Sequence, residues 1–209
     1  MVKKTPLDDY INIRKVGLIA ISLREDDDLI GVKLTDGNQE IIMGTAQGMS
    51  IRYSEQDVRS MGRSATGVKG IQLDASDVVI DMDVISPDKD ILIVTAKGYG
   101  KRTPVADYRI QNRGGKGIKT LNVTDKNGPI VSLKVVENDE DLMIMTASGT
   151  MIRTSMEGIS TMGRNTQGVR LIHTRDDDTV ATVTRVARSE ENEELDELEE
   201  TENGETPQE

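Results

Sequence analysis

Apolar and polar residues alternate along much of this chain with a period of two. Val78–Ile85 sets Ile80, Met82 and Val84 against Asp81 and Asp83, the pattern of a half-buried strand. Ile91-Leu-Ile-Val-Thr-Ala-Lys-Gly98 is a continuous apolar run of strand length closed by a turn glycine, which predicts a more deeply buried strand. Asp141-Leu-Met-Ile-Met-Thr-Ala-Ser-Gly149 repeats that run. A third strand is expected from the Arg102 position and a fourth after Gly117, as Ile118–Val123. Thr35-Asp-Gly37, Asp125-Lys-Asn-Gly128 and Ser86-Pro-Asp88 supply turns between them. No ten-residue stretch before residue 190 carries helical periodicity.

These elements recur. Gly48-Met-Ser-Ile-Arg52, Gly98-Tyr-Gly-Lys-Arg102 and Gly149-Thr-Met-Ile-Arg153 align, and the steps from Lys4 through Arg52 and Arg102 to Arg153 are 48, 50 and 51 residues. Eleven residues beyond each of the last three arginines stands another, at Arg63, Arg113 and Arg164, and four further on a glycine, at Gly67, Gly117 and Gly168. The first unit is shorter here and has Arg14, Lys15 and Gly17. A fixed period near fifty residues with four strands per period predicts an all-β propeller-like array of four-stranded blades, with about four repeats over residues 1–188. The chain opens on a third strand and its last strand, Val180–Val186, has the character of a first, which suggests a piece of a longer array.

Charge changes the picture twice. The 209 residues carry a formal net charge of −11, but residues 190–209 hold 11 of the 37 acids and no Lys or Arg. The remaining 26 acids balance 26 Lys and Arg, so residues 1–189 are neutral. Residues 189–209 are expected to be a disordered acidic tail, with a short amphipathic helix around Leu195 and Leu198 as the alternative, and able to compete with a polyanion for a basic surface. Within the neutral part, the stretches 2–24, 49–73, 98–121 and 149–175 carry 19 basic and 6 acidic residues, and the rest 7 and 20. Equivalent positions of a repeat occupy equivalent places, so the basic stretches should form a continuous positive rim, the electrostatic footprint of nucleic-acid binding. Phosphate contacts are expected from Lys4, Arg14, Lys15, Arg52, Arg63, Lys69, Lys101, Arg102, Arg113, Lys116, Lys119, Arg153, Arg164 and Arg170. About eight engaged phosphates would give a salt slope of roughly −7.

Other chemistry is thin. There is no Cys, Trp or Phe, which excludes disulfides, thiol catalysis and Cys-based zinc sites. The four tyrosines are too few aromatics for base-stacking platforms. No apolar run reaches the 18 residues of a membrane span, and Met1–Pro6 has no signal-peptide core, so a cytoplasmic, nucleoid-associated place is expected, with no membrane partner. Tyr10 and Tyr108 fall where other units carry Val58 and Ile159, which makes them packing residues. Asp81 and Asp83 are expected on the solvent side of a strand, and Asp26–Asp28 and Asp176–Asp178 in solvated turns rather than at Mg²⁺. His173 has no second His or Cys to share a metal. No cofactor, metal, small-molecule substrate or catalytic group is expected. Arg113-Gly-Gly-Lys-Gly117 has the chemistry of a phosphate cradle, since glycines let main-chain N–H groups approach a polyanion while Arg and Lys supply charge. It does not meet the nucleotide P-loop pattern.

Gln111-Asn112-Arg113-Gly114-Gly115-Lys116-Gly117 resembles the seven-residue box of the DNA gyrase A C-terminal domain, Gln-Arg-Arg-Gly-Gly-Lys/Arg-Gly, departing from it at Asn112. Lys101-Arg-Thr-Pro104 and the stretches Met61–Lys69 and Met162–Arg170 are similar to the same family. The resemblance implies a β-pinwheel whose basic perimeter wraps double-stranded DNA as a non-catalytic module. It also implies the rest of gyrase A as a partner and, through it, gyrase B in an A2B2 assembly, with catalytic residues outside this chain. Two readings stand beside it: the C-terminal domain of the topoisomerase IV A protein, and a propeller serving as a protein-docking platform.

Overall fold

A computed structural model describes residues 1–13, 15–175 and 177–188. Arg14, Asp176 and the expected tail at 189–209 lie outside the described residues. The strands are β1 (Glu40–Thr45), β2 (Met49–Ser54), β3 (Val79–Val84), β4 (Asp90–Thr95), β5 (Tyr99–Pro104), β6 (Ile118–Lys119), β7 (Ile130–Val136), β8 (Glu140–Thr146), β9 (Met151–Ser155), β10 (Val169–Arg170) and β11 (Val180–Ala187). They form three antiparallel sheets, ordered β3-β1-β2-β6, β10-β5-β4-β7 and β11-β8-β9. Each sheet is built on a tight hairpin whose turn glycine, Gly48, Gly98 or Gly149, has φ between 75° and 90°. Among the described residues no helix is long and apolar enough to cross a membrane.

Two expectations change. The fourth strand is only two residues long, and it pairs with the hairpin of the preceding unit: Met49 faces Lys119, and Tyr99 faces Arg170. Each unit therefore hands one short strand back to its neighbour, and the blades are interlocked as well as stacked. Glycine permits this approach. Gly117 (φ +78) lies so close to Ser50 that a Cβ would sit 2.3 Å from the Ser50 carbonyl oxygen, and Gly168 meets the Gly100 carbonyl in the same way. Second, the first unit contributes no sheet. Val2 bridges Val68 and Lys4 bridges Ser60, but among the described residues no strand is present between 11 and 39. Leu29–Leu34, the counterpart of β3 by spacing, leaves Val32 and Leu34 exposed.

The core lies between blades. Ile42 of the first sheet packs with Ile91, Ile93 and Leu133 of the second, while Leu92 and Val94 on the opposite face of β4 pack with Leu142, Ile144 and Val183 of the third. A third cluster joins Ile41, Met43, Ile51 and Tyr53 to Val2 of the first unit and to Val68. Burial on both faces explains why β4 and β8 read as continuous apolar runs. Tyr108 belongs to this core as expected, 1 % exposed, its hydroxyl 2.6 Å from Thr120 Oγ1, and burial pushes its phenol up to about 12. Tyr10 is half-buried in the first 3₁₀ turn.

Asp81 and Asp83 are not on a solvent side. Asp81 Oδ2 accepts from Ser132 Oγ, Leu133 N–H and Lys134 Nζ, and Asp83 Oδ2 accepts from Val135 N–H at 2.9 Å. These carboxylates occupy main-chain donors of β7 where β3 meets the neighbouring blade. Burial pushes the Asp83 carboxyl up. The hydrogen bonds from Lys33, Val135 and Val84 outweigh that, so it stays below the usual carboxylate range. Asp178 is likewise engaged: it accepts from Ser148 N–H and Oγ, which hold its carboxyl down at about 2.

Candidate nucleic-acid interface

The basic positions separate into three layers. The first is the basic residue that opens each unit, an arginine in three of them. Arg52 on β2 donates from Nε to Glu40 Oε2 at 2.6 Å and from one terminal nitrogen to the Val105 and Tyr108 carbonyls of the next unit, at 3.0 and 2.8 Å. Arg102 repeats this with Asp90 and the Ile159 carbonyl, and Lys4 with the carboxylate and carbonyl of Glu55. Arg153, in the last unit, pairs with Asp141 at 2.5 Å. The acid precedes the arginine by 12 residues in each hairpin, as Glu40–Arg52 and Asp141–Arg153. That recurrence is visible in the sequence, and it marks these arginines as blade fasteners. The acceptors of Arg52 and Arg102 are protein groups and both side chains are largely covered, so these two present little to a phosphate, whereas Arg153 is ion-paired but exposed.

Lys101 is the second kind. It is fully buried, and Nζ donates 2.7 Å to both the Gly163 and Arg164 carbonyls of the following unit. Lys3 makes the same contact to the Arg63 carbonyl. Burial, reinforced by the Arg164 charge, lowers the Lys101 ammonium to about 8. An unfolded chain keeps this lysine near 10.4, so between pH 8 and about 10 it binds more protons than the folded one. Stability from this group should therefore rise with pH in that window, by up to about 1.4 kcal/mol per pH unit. Denaturant midpoints of the wild type and Lys101→Met over pH 7–9.5 check this. The rise should vanish in the variant, and an equal rise in both would refute the assignment.

The third layer is the box loop and its equivalents. Arg113 donates from Nε to the Asp57 carbonyl at 3.0 Å and from a terminal nitrogen to the Lys69 carbonyl. Arg164 donates to the Lys119 carbonyl at 2.8 Å, and Arg63 to that of Ile19 at 3.4 Å. Of the box glycines' main-chain donors, that of Gly114 is already taken by protein. Gly114 N–H is given to the Gly70 carbonyl at 2.7 Å, and the Gly115 carbonyl accepts from Gln72 N–H at 2.8 Å. The box loop is held down on the preceding unit because its inter-unit hydrogen bonds need those main-chain groups. Gln111 N–H bonds the Arg52 carbonyl, and its Nε2 is buried without a hydrogen-bond partner among the described residues. Asn112 is exposed.

What remains facing solvent is a smaller set. Lys69, Lys119 and Arg170 each stand two residues past the Gly67, Gly117 and Gly168 positions, on or level with the short exchanged strands, and all are exposed. Lys116 beside them and Lys15 in the first unit are exposed too. The ammonium groups of Lys15, Lys69, Lys116 and Lys119 make no hydrogen bond or ion pair among the described residues. Arg170 differs: its guanidinium lies 5.0 Å from the Tyr99 ring centroid, donates to Tyr99 Oη at 2.7 Å and sits 3.1 Å from His173 Nδ1. Lys126, at 5.6 Å from the same ring, is a cation that the repeat pattern does not predict. It lies within the Asp125–Gly128 turn rather than in the repeat's basic stretch, so only the structure brings it to Arg170.

The DNA gyrase C-terminal domain, β-propeller family matches this chain over residues 1–36, 39–86, 89–137 and 140–187, four segments that reproduce the fifty-residue period. The gyrase A protein of Halalkalibacterium halodurans is 69 % identical over 183 residues, 88 % of this chain and 22 % of that protein. The gyrase A protein of Klebsiella oxytoca is 43 % identical over 87 % of this chain and 21 % of its own length. The chain thus spans about a fifth of the curated relatives it matches. Among solved structures, the C-terminal domain of DNA topoisomerase IV superposes with a TM-score of 0.86 at 26 % identity, over 97 % of this chain and 64 % of that one. A DNA gyrase A C-terminal domain superposes at 0.76 with 24 % identity, over 82 % and 58 %.

Proposed function

Because the chain belongs to the DNA gyrase C-terminal domain family, we propose that it binds duplex DNA along the rim marked by Lys69, Lys116, Lys119 and Arg170 and bends it around the blades. The observation that carries this is the division of labour among the cations. Those inside the blades are neutralised by protein acceptors, while one exposed cation recurs at the same position of three successive units. Contacts of this kind engage phosphates without reading bases, so binding is electrostatic and nearly sequence-independent. Bending a site of 20–30 base pairs costs on the order of 1–6 kcal/mol, offset by each further unit that reaches the backbone.

In the intact protein the module would serve a type IIA topoisomerase whose cleaving residues lie elsewhere, assembled with gyrase B as A2B2, in the cytoplasm. The gyrase reading is favoured over the topoisomerase IV one by identities of 69 % and 43 % to gyrase A proteins, compared with 26 % to the topoisomerase IV domain. Ligating nicked circles with the chain bound tests the function. The products should show a linking-number distribution displaced from that of free circles. A protein-docking platform would leave it unmoved, and that result would refute the proposal.

A further inference from the structure

We propose that Arg63, Arg113 and Arg164 are positioning residues: they fix where the rim cation of the preceding unit stands, and are not themselves the phosphate contacts. The proposal rests on the duplex-binding reading above. Each guanidinium reaches back 44 or 45 residues to one main-chain oxygen, Ile19 for Arg63, Lys69 for Arg113 and Lys119 for Arg164. Those three acceptors are the same repeat position, 50 residues apart each time. It is the position whose side chain, in the second and third units, is the exposed, unpartnered lysine.

Three features separate positioning from ligation. The acceptor is a carbonyl, so the contact persists whatever side chain stands there, and it does persist at Ile19, where no rim charge exists. Arg113 spends two nitrogens of its planar fork on carbonyls from different segments of the preceding unit, Asp57 and Lys69, a two-pronged geometry that a lysine at this position would have to meet from a single nitrogen. The neighbouring main chain is fastened at the same place, by Gly114 N–H to the Gly70 carbonyl, Gln72 N–H to the Gly115 carbonyl and Asn122 N–H to the Thr166 carbonyl. A duplex bent over several blades needs its phosphate contacts at a fixed interval. A chain of carbonyl-directed arginines sets that interval through the backbone and leaves the lysine heads free for phosphate.

The test uses Arg113→Lys and Arg164→Lys, which conserve charge. In the free chain, amide exchange at Gly114 and Gln72 should quicken about tenfold in Arg113→Lys with Asn122 unchanged, and the reverse in Arg164→Lys. Duplex affinity should fall about tenfold in each although the charge is kept. At saturating chain, the linking difference in ligated circles should shrink while the melting temperature stays within a few degrees, which general loosening of the fold would not produce. Unchanged exchange and affinity in both lysine variants, with loss only in Arg113→Gln and Arg164→Gln, would make these arginines phosphate contacts and overturn the proposal. Lys69→Gln and Lys119→Gln separate the two levels. If neither weakens binding, the duplex reading itself fails and takes the positioning role with it. If both weaken binding while the lysine variants behave as wild type, only the positioning role fails.

Discussion

Gly117→Ala should be among the most damaging single substitutions in the chain, with a loss of about 4 kcal/mol of stability. Two causes add. The residue has φ +78, where a Cβ costs about 1–2 kcal/mol in itself. That Cβ would also lie 2.3 Å from the Ser50 carbonyl oxygen and 2.9 Å from its carbon, which are backbone atoms that cannot swing aside. Relief requires moving β6, the exchanged strand that carries Lys119, off β2. Gly149→Ala is the matched control, since it has φ +88 but nothing within 4 Å of the added carbon. It should lose only the conformational part. Denaturant unfolding of both variants checks the difference, and equal losses would mean that the close approach contributes nothing.

Replacing Lys69, Lys116 and Lys119 together by glutamine should weaken duplex binding by about two orders of magnitude at 0.1 M salt, because three released counterions are forfeited. Stability should move by less than about 0.5 kcal/mol, since all three side chains are exposed and none has a polar partner among the described residues. Truncating Arg52 and Arg102 would confuse the two effects, because it strips the Glu40 and Asp90 carboxylates and three carbonyls of their donors. The loss of binding in that case would report unfolding.

The array was legible because its signals are local and repeated. Turn glycines, apolar runs and fifty-residue steps fix strands, hairpins and blades without any long-range information. The exchange of the short strand was hidden, because nothing in Ile118-Lys119 says which hairpin it joins; only the clearance at Gly117 and Gly168 does. The basic rim was half legible. Net charge by segment located it, but charge alone does not distinguish Lys119, which faces solvent, from Lys101, which is fully buried against two carbonyls. The acids at Glu40, Asp90 and Asp141, each 12 residues before an arginine, were the available sign that the first arginine of a unit is already spoken for. Asp81 and Asp83 read as solvent-facing because alternation tells which side of a strand a residue takes, and in a blade both sides are covered.

Internalising Lys4, Arg52, Lys101 and Arg102 also revises the expected number of phosphate contacts. With Lys15, Lys69, Lys116, Lys119 and Arg170 left on the surface, the slope of log affinity against log salt should be about −4.5 rather than −7. Measuring that slope for the wild type and for the Lys69/Lys116/Lys119 glutamine variant tests the rim most directly. A slope near −4.5 that flattens to about −2 in the variant is the expected result. Identical slopes in the two proteins would contradict the account.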